Sequence, residues 1–412
     1  MKYGLLGEKL THSFSKEIHE ALGYYRYSLC EVGRDELESF FKRRDFLGIN
    51  VTIPYKKSVI EYLDSIDEAA AGIGAVNTVI NDNGRLTGFN TDAFGLTALI
   101  QKAGVTLKGK KVLILGGGGT SATALYVAEK SGAGCVLRVS RSEKPGFITY
   151  EKAKKLHTDA DVIINTTPAG MFPDIVNTPI DISAFGKLEA VIDAVYNPLN
   201  SRLVLEARER GITAAGGLYM LLMQAYMSAR YFTREDIDIA KIEKIYSDIL
   251  RKKRNIVLIG MPSAGKTSIG GMIAESLGMP FFDSDEQITA ATGKTPADMI
   301  KREGEAAFRD IESKVIRELS VKNGAVIATG GGAVTVRDNL LNLKANGRVY
   351  YIDRAPELLQ ATADRPLSSS KQALKELYIK RRALYKNAAD VIVENNSDIN
   401  NAADKIRKDF LL

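Results

Sequence analysis

Short runs of aliphatic and β-branched residues recur along the chain: KVLILG (111–116), DVIINTT (161–167), AVIDAVY (190–196), NIVLIG (255–260), AVIATGGG (325–332) and RVYYID (348–353). Longer stretches with apolar residues at helical spacing lie between them. Continuous apolar strands alternating with such helices predict parallel sheets covered by crossover helices, so the whole chain reads as α/β. One helical pattern, DIDIAKIEKIYSDILRKKR at 236–254, runs straight into the strand NIVLI and marks the boundary between two halves. Its closing RKKR reads as a solvated helix end, where cations suit the negative pole of the helix dipole.

A length of 412 residues sets an expectation of two to three compact units. The 45% hydrophobic and 26% charged composition is that of ordinary globular protein. The net charge of +6 arises from 56 basic and 50 acidic residues mixed along the chain, which argues against a nucleic-acid face and suits small anionic ligands. Cys30 and Cys135 each sit in an apolar stretch and read as buried thiols, not a disulfide, which implies a reducing cytoplasm. The start MKYGLLGEKL lacks a signal-peptide core, and no apolar run approaches the ~18 residues that span a bilayer. His12, His19 and His157 lack metal-ligand spacing, so no structural zinc site is expected.

Two glycine-rich turns carry the chemistry. In KVLILGGGGTSATALYVAEK (111–130), Gly116, Gly118 and Ser121 follow G-x-G-x-x-(small) after a strand and before a helix. The first glycine permits a tight turn, and the second lets backbone N–H groups approach a pyrophosphate at the helix N-terminus. Gly116, Gly117, Gly118, Gly119 and Thr120 are thus candidate dinucleotide contacts. At the end of the next strand, where Asp or Glu would receive a ribose 2′-hydroxyl, stand Ser140, Arg141 and Ser142, which suit the 2′-phosphate of NADP(H).

Around this turn, THSFSKEIH (11–19), GINVTIPYKK (48–57), GAVNTV (74–79), GFNTDAFG (88–95), DAVYNPLNSRLV (193–204) and GGLYMLLMQA (216–225) fall in a fixed order. Together they resemble shikimate dehydrogenase over roughly residues 1 to 250. The resemblance implies a substrate domain built from 1–103 and 218–250, with a Rossmann NADP domain at 104–217 inserted between them. It assigns Ser13 and Ser15 to the substrate carboxylate and Thr52, Asn77, Tyr196 and Gln224 to its hydroxyls. Gly217 joins the cofactor site, and Lys56 and Asp92 match the family's catalytic pair. Ser140-Arg141-Ser142 departs from the family's usual Asn-Arg-Thr.

The second turn, Gly260-Met261-Pro262-Ser263-Ala264-Gly265-Lys266-Thr267, fits G-x-x-x-x-G-K-[ST] between a strand and a helix. Backbone N–H groups from Ser263, Ala264 and Gly265 through Ser268 can surround phosphates. Lys266 can reach the β/γ-phosphates, and Thr267 can ligate Mg²⁺. FFDSDEQI with Asp283 and Asp285, EAAFRDIE with Arg309, ATGGGAV with Gly330, Gly331 and Gly332, ADRPLSSS with Arg365, and IKRRALY with Arg381 complete the pattern. This set resembles shikimate kinase over 254 to about 396, and implies a P-loop domain at 254–412 of the nucleoside monophosphate kinase-like type with a parallel sheet.

By that resemblance Asp285 orients or deprotonates the acceptor hydroxyl, Asp283 organises Mg²⁺, Arg309 and Arg381 clamp a carboxylate, and the glycines pack against the ring. Arg365 belongs to a lid over ATP, in a segment, RPLSSSKQ, that is short and polar. The expected whole is a bifunctional enzyme using NADP(H), ATP and Mg²⁺ on small-molecule substrates, with no nucleic-acid or membrane partner. Two alternatives stay open: a dehydrogenase half preferring quinate or NAD, and a non-catalytic quinate- or shikimate-sensing regulator, against which the retained Lys56, Asp92, Lys266 and Asp285 argue.

Overall fold

The computed structural model describes residues 2–10, 14–22, 25–360 and 370–411; Ser13 and Arg365 lie outside the described residues. The chain forms two compact units, Met1–Asp248 and Ile249–Leu412, and the division falls inside the helix Ile239–Lys253. The first unit contains two sheets and the second one.

The first sheet comprises β1 (Tyr3–Gly7), β2 (Tyr27–Glu31), β3 (Gly48–Val51), β4 (Ser65–Ile66), β5 (Thr78–Asp82) and β6 (Arg85–Phe89), in the order β2-β1-β3-β5-β6-β4. β1 pairs in parallel with β2 and β3, whereas β5 runs antiparallel to β3 and β6. Two helices, Thr91–Lys102 and Leu218–Thr233, pack closely because Gly95 has no side chain. A Cβ there would stand 2.5 Å from the Met220 carbonyl oxygen. Asn90 caps the first of these helices, its side chain accepting from the Ala93 N–H. The cap fixes the turn that carries Asp92.

The second sheet is parallel throughout: β7 (Lys111–Leu115), β8 (Cys135–Ser140), β9 (Phe147–Thr149), β10 (Val162–Asn165), β11 (Ala190–Asp193) and β12 (Thr213–Ala215). Its order, β12-β11-β10-β7-β8-β9, is that of a doubly wound dinucleotide fold, with the switch point between β7 and β10. Leu113, Leu115, Val139, Ile163 and Val191 form the centre of its core. Burial on both faces explains why these strands show no polar alternation.

The second unit has β13 (Asn255–Ile259), β14 (Phe281–Asp283), β15 (Val326–Ala328), β16 (Gly347–Asp353) and β17 (Val391–Glu394), parallel in the order β14-β15-β13-β16-β17. β13 is central and every residue of it is buried, so the P-loop that follows it emerges from the middle of the sheet. One sequence expectation is corrected. Cys135 is exposed, and Cys30 is only half-buried. Cys135 opens β8 at its less covered end, and burial deepens along the strand to Val139 and Ser140.

Candidate active sites

In the first unit, Lys56 follows β3 and Asp92 occupies the first turn of its capped helix. Their side chains meet at 2.6 Å, Lys56 Nζ to Asp92 Oδ2, with side-chain exposures of 16% and 9%. Asn77 Nδ2 donates to the other carboxylate oxygen of Asp92 at 2.9 Å and to Thr91 Oγ1 at 3.0 Å, while Asn77 Oδ1 accepts from the Thr91 N–H. Behind them Ser228 Oγ, Thr78 Oγ1 and Asn50 form a buried hydrogen-bonded layer continuing to the Tyr27 hydroxyl. An ion pair this sheltered is held in one geometry, unlike an exposed one.

Gln224 is buried on the helix Leu218–Thr233, where its Nε2 donates to the Leu221 carbonyl. Tyr196 packs its ring 5.3 Å from that of Phe14, next to the buried Ser15, and burial raises the phenol's pKa. Thr52 directly follows β3, its N–H bonded to the Leu6 carbonyl. One turn from Ser15, the buried His19 stacks on Tyr27 at 4.0 Å, and burial pushes its pKa down to about 3, so it serves as a neutral structural group.

The dinucleotide turn lies between β7 and the helix Gly119–Lys130. Gly116 adopts φ 115°, open to glycine, and a Cβ on it would meet Thr166 Oγ1 at 2.7 Å. Gly118 occupies the N-cap and makes no side-chain cap, leaving first-turn N–H groups for an anion. A Cβ on Gly119 would stand 3.6 Å from Lys56 Cδ, so the glycine turn abuts the Lys56–Asp92 pair.

Ser140 is buried and its hydroxyl donates to the Ser142 carbonyl, holding the turn, whereas Arg141 and Ser142 are exposed at its rim. Lys144 belongs to none of the sequence motifs. Its Nζ lies over the Phe147 ring at 4.1 Å and 2.7 Å from where a Gly117 Cβ would be, which puts a cation across the glycine turn. The signal available was a lysine two residues past Ser142, in a loop whose path sequence does not give. Gly217 N–H donates to the Val195 carbonyl, and a Cβ on Gly217 would overlap the Ala194 carbonyl oxygen.

In the second unit the P-loop wraps the start of the helix Lys266–Leu277, with Gly265 at φ 96° and Ser263 at φ 63°. Ser263 Oγ donates to the Gln360 carbonyl, and Asn395 Nδ2 to the Ala264 carbonyl, the second a brace from just past β17 that no sequence motif announces. Lys266 is buried, its Nζ donating to the Gly260 and Met261 carbonyls at 3.0 and 2.9 Å. Thr267 Oγ1 donates to Asp283 Oδ2 at 2.7 Å, and Asp283 Oδ1 caps the Asp285 N–H. These hydroxyl and carboxylate oxygens suit a hard cation such as Mg²⁺. No group of three or more His, Cys, Asp or Glu gathers as a metal site among the described residues.

A cavity of about 630 Å³ joins Lys266 and Thr267 to Asp285, Arg309, Arg381 and the glycines 330–332. A Cβ at Gly330 would stand 2.7 Å from Asp285 Oδ1, and one at Gly332 would overlap the Arg309 guanidinium. Both glycines therefore allow the Asp285 and Arg309 side chains to lie against the loop. Arg381, 6% exposed, donates to the Gly331 carbonyl, which also accepts from the Tyr385 hydroxyl. Arg309 pairs with Glu312 at 2.6 Å and Glu305 at 2.9 Å. Glu312 is fully buried, and that burial raises its pKa against the pull of Arg309. Its signal was the i, i+3 spacing in RDIE.

A family model for shikimate dehydrogenase substrate binding domain matches residues 5–79, and one for shikimate kinase matches 262–410. A shikimate dehydrogenase (NADP(+)) of Clostridium perfringens is 32% identical over 265 residues, 60% of this chain and 97% of that protein. One from Methanococcus maripaludis is 36% identical over 273 residues, with the same coverage. Among solved structures, a Thermus thermophilus shikimate 5-dehydrogenase in complex with NADP(H) and shikimate is 30% identical with a TM-score of 0.54, covering 60% of this chain and 99% of that one.

Proposed function

The chain belongs to the shikimate dehydrogenase family through its first unit and carries a shikimate kinase domain in its second, and from that premise we propose how one protein performs two consecutive reactions. It is a bifunctional shikimate-pathway enzyme. The first unit reduces 3-dehydroshikimate to shikimate with NADPH, and the second phosphorylates shikimate at its 3-hydroxyl with ATP and Mg²⁺. What supports the reading is that each nucleotide loop faces a proton-handling carboxylate site within its own unit: Gly119 against Lys56–Asp92, and the P-loop in one cavity with Asp285.

When bound, NADPH supplies a hydride, and the ketone that receives it becomes an alkoxide needing a proton. Lys56 gives that proton from Nζ, and Asp92, 2.6 Å away, holds the lysine aimed. Asn77 fixes Asp92 and, with Thr52, Tyr196 and Gln224, holds the ring hydroxyls, while Ser13 and Ser15 hold the carboxylate. Gly116 to Thr120 and Gly217 cradle the dinucleotide, with Ser140, Arg141 and Ser142 at its 2′-phosphate. The corresponding layout is a substrate domain at 1–103 and 218–250 around a cofactor domain at 104–217, then the kinase at 254–412.

In the kinase, Asp285 takes or orients the proton of the attacking hydroxyl. Arg309 and Arg381 grip the carboxylate bidentately, and Gly330 to Gly332 let the ring approach. Ser263 to Ser268 bind phosphate through backbone N–H groups, with Lys266 at the β/γ-phosphates. Thr267 and Asp283 would hold Mg²⁺, which supplies neutralising charge to the phosphates when bound. Arg365 adds neutralising charge to the transferred phosphate. A cytoplasmic location belongs to the same proposal; among the described residues no helix is long and apolar enough to cross a membrane.

The deciding experiment gives the purified chain 3-dehydroshikimate, NADPH, ATP and Mg²⁺ and follows products by mass spectrometry. Shikimate 3-phosphate is the expected product. Shikimate accumulating without phosphate would locate a defect in the kinase half, and no turnover of either substrate would restore the regulator alternative. Parallel runs with quinate and NAD⁺ set the substrate and cofactor preference.

A further inference from the structure

At the switch-point side of the second sheet, β10 and β11 pair so that Asn165 lies beside Asp193, each the last residue of its strand and each fully buried. Asn165 Nδ2 donates to Asp193 Oδ1 at 2.9 Å. The Asn165 Oδ1 atom accepts from the Thr167 N–H at 3.0 Å and its hydroxyl at 2.7 Å. The adjoining Thr166 hydroxyl, bonded to the Leu115 carbonyl, is the atom that a Cβ on Gly116 would strike. The asparagine therefore shapes the strand end against the dinucleotide turn.

The carboxylate reaches in the other direction. Asp193 Oδ1 also accepts from the Val195 N–H at 2.9 Å, and Oδ2 accepts from Ser201 Oγ at 2.5 Å, the N-cap of the helix Arg202–Glu209. Val195 precedes Tyr196, and its carbonyl accepts from the Gly217 N–H, where the helix carrying Gln224 begins. One buried side chain thus bonds Asn165, whose other partner Thr167 adjoins the glycine turn, and Val195, which precedes Tyr196 and whose carbonyl receives the start of the helix carrying Gln224. An acidic group in a fully buried position carries a desolvation cost, and three converging donors offset part of it. A pure packing role would be served by an apolar residue.

We propose that Asp193 is a positioning residue for hydride transfer, holding the strand end against the dinucleotide turn in register with the strand end that carries Tyr196. The proposal rests on the dehydrogenase assignment of the first unit. Misalignment of about 1 Å between reacting groups costs on the order of 10²-fold in rate, so the effect falls on the chemical step.

The test compares Asp193→Ala and Asp193→Asn in the full-length chain, measuring kcat, both KM values and the primary isotope effect with 4-deuterated NADPH. Asp193→Ala is expected to lower kcat for reduction about 30-fold or more, shift each KM by less than about fivefold and enlarge the isotope effect. Asparagine keeps one acceptor for Asn165 and Val195 and presents an amide to Ser201, so Asp193→Asn should restore most of the lost kcat. Should Asp193→Ala fail to fold, Asn165→Ala, which severs only the cofactor side, must show the same kcat and isotope signature. An alanine variant with wild-type kcat, or one whose loss lies wholly in KM with an unchanged isotope effect, overturns the proposal. A wild-type chain unable to reduce 3-dehydroshikimate would instead overturn the assignment beneath it.

Discussion

Lys56 is the proposed proton donor and Asp92 aims it, so removing the amine removes general-acid assistance without emptying the pocket. Lys56→Ala should lower kcat for reduction about 10²- to 10⁴-fold with a smaller change in KM, measured by NADPH oxidation. Asp193 makes a separate prediction through stability. Burial pushes its carboxyl up to about 6 against the Ser201, Val195 and Asn165 donors. Its unfolded value is about 3.9, so the folded chain binds this proton more tightly. The group's stabilising contribution is therefore complete below the unfolded value and is lost as pH rises through about 6. Asp193→Asn cannot lose it, so its denaturation midpoint relative to wild type should improve from about pH 4 to near pH 8. An equal margin at both pH values would contradict that account. The bonds of Asp193 were not legible in the sequence, because they link strands and turns whose adjacency is set by folding, whereas the i, i+3 spacing of Arg309 and Glu312 on one helix was.

At the scale of elements, two glycines set distances that no side chain could replace. Gly332→Ala would bring a methyl group onto the Arg309 guanidinium and turn it away from the carboxylate it is proposed to grip. Hydrogen bonds to charged groups are worth about 1.5–3 kcal/mol, so KM for shikimate should rise roughly tenfold or more while KM for ATP holds. Gly95→Ala would press the helix Thr91–Lys102 away from the Met220 carbonyl. Overpacking of this kind costs about 1–3 kcal/mol, visible as a lower thermal midpoint, with slower reduction because Asp92 and Gln224 ride on the two helices. The strands around these glycines were legible. KVLILG, AVIDAVY and NIVLIG became β7, β11 and β13 because an apolar run bounded by turn residues has few other ways to be buried. The short β4, β9 and β12 lack such a run and depend on the neighbours they pair with.

At the scale of the whole molecule, one chain holds two nucleotide loops in two separately cored units. Lys266→Ala should abolish phosphorylation and leave NADPH oxidation intact, the reverse of Lys56→Ala. Coupled product assays on both variants check this, and loss of both activities in either one would show catalytic interdependence. The ordered motifs already contained both enzymes, since a glycine turn between a strand and a helix binds phosphate through backbone groups that local sequence dictates. The sequence by itself thus determined the α/β class, the two nucleotide loops and the residue types around them. Only the tertiary structure decided that Lys144 crosses Gly117, that Cys135 meets solvent and that Asp193 joins Asn165. Those facts depend on strand order and register between segments distant along the chain, and local periodicity carries no record of which strand becomes whose neighbour.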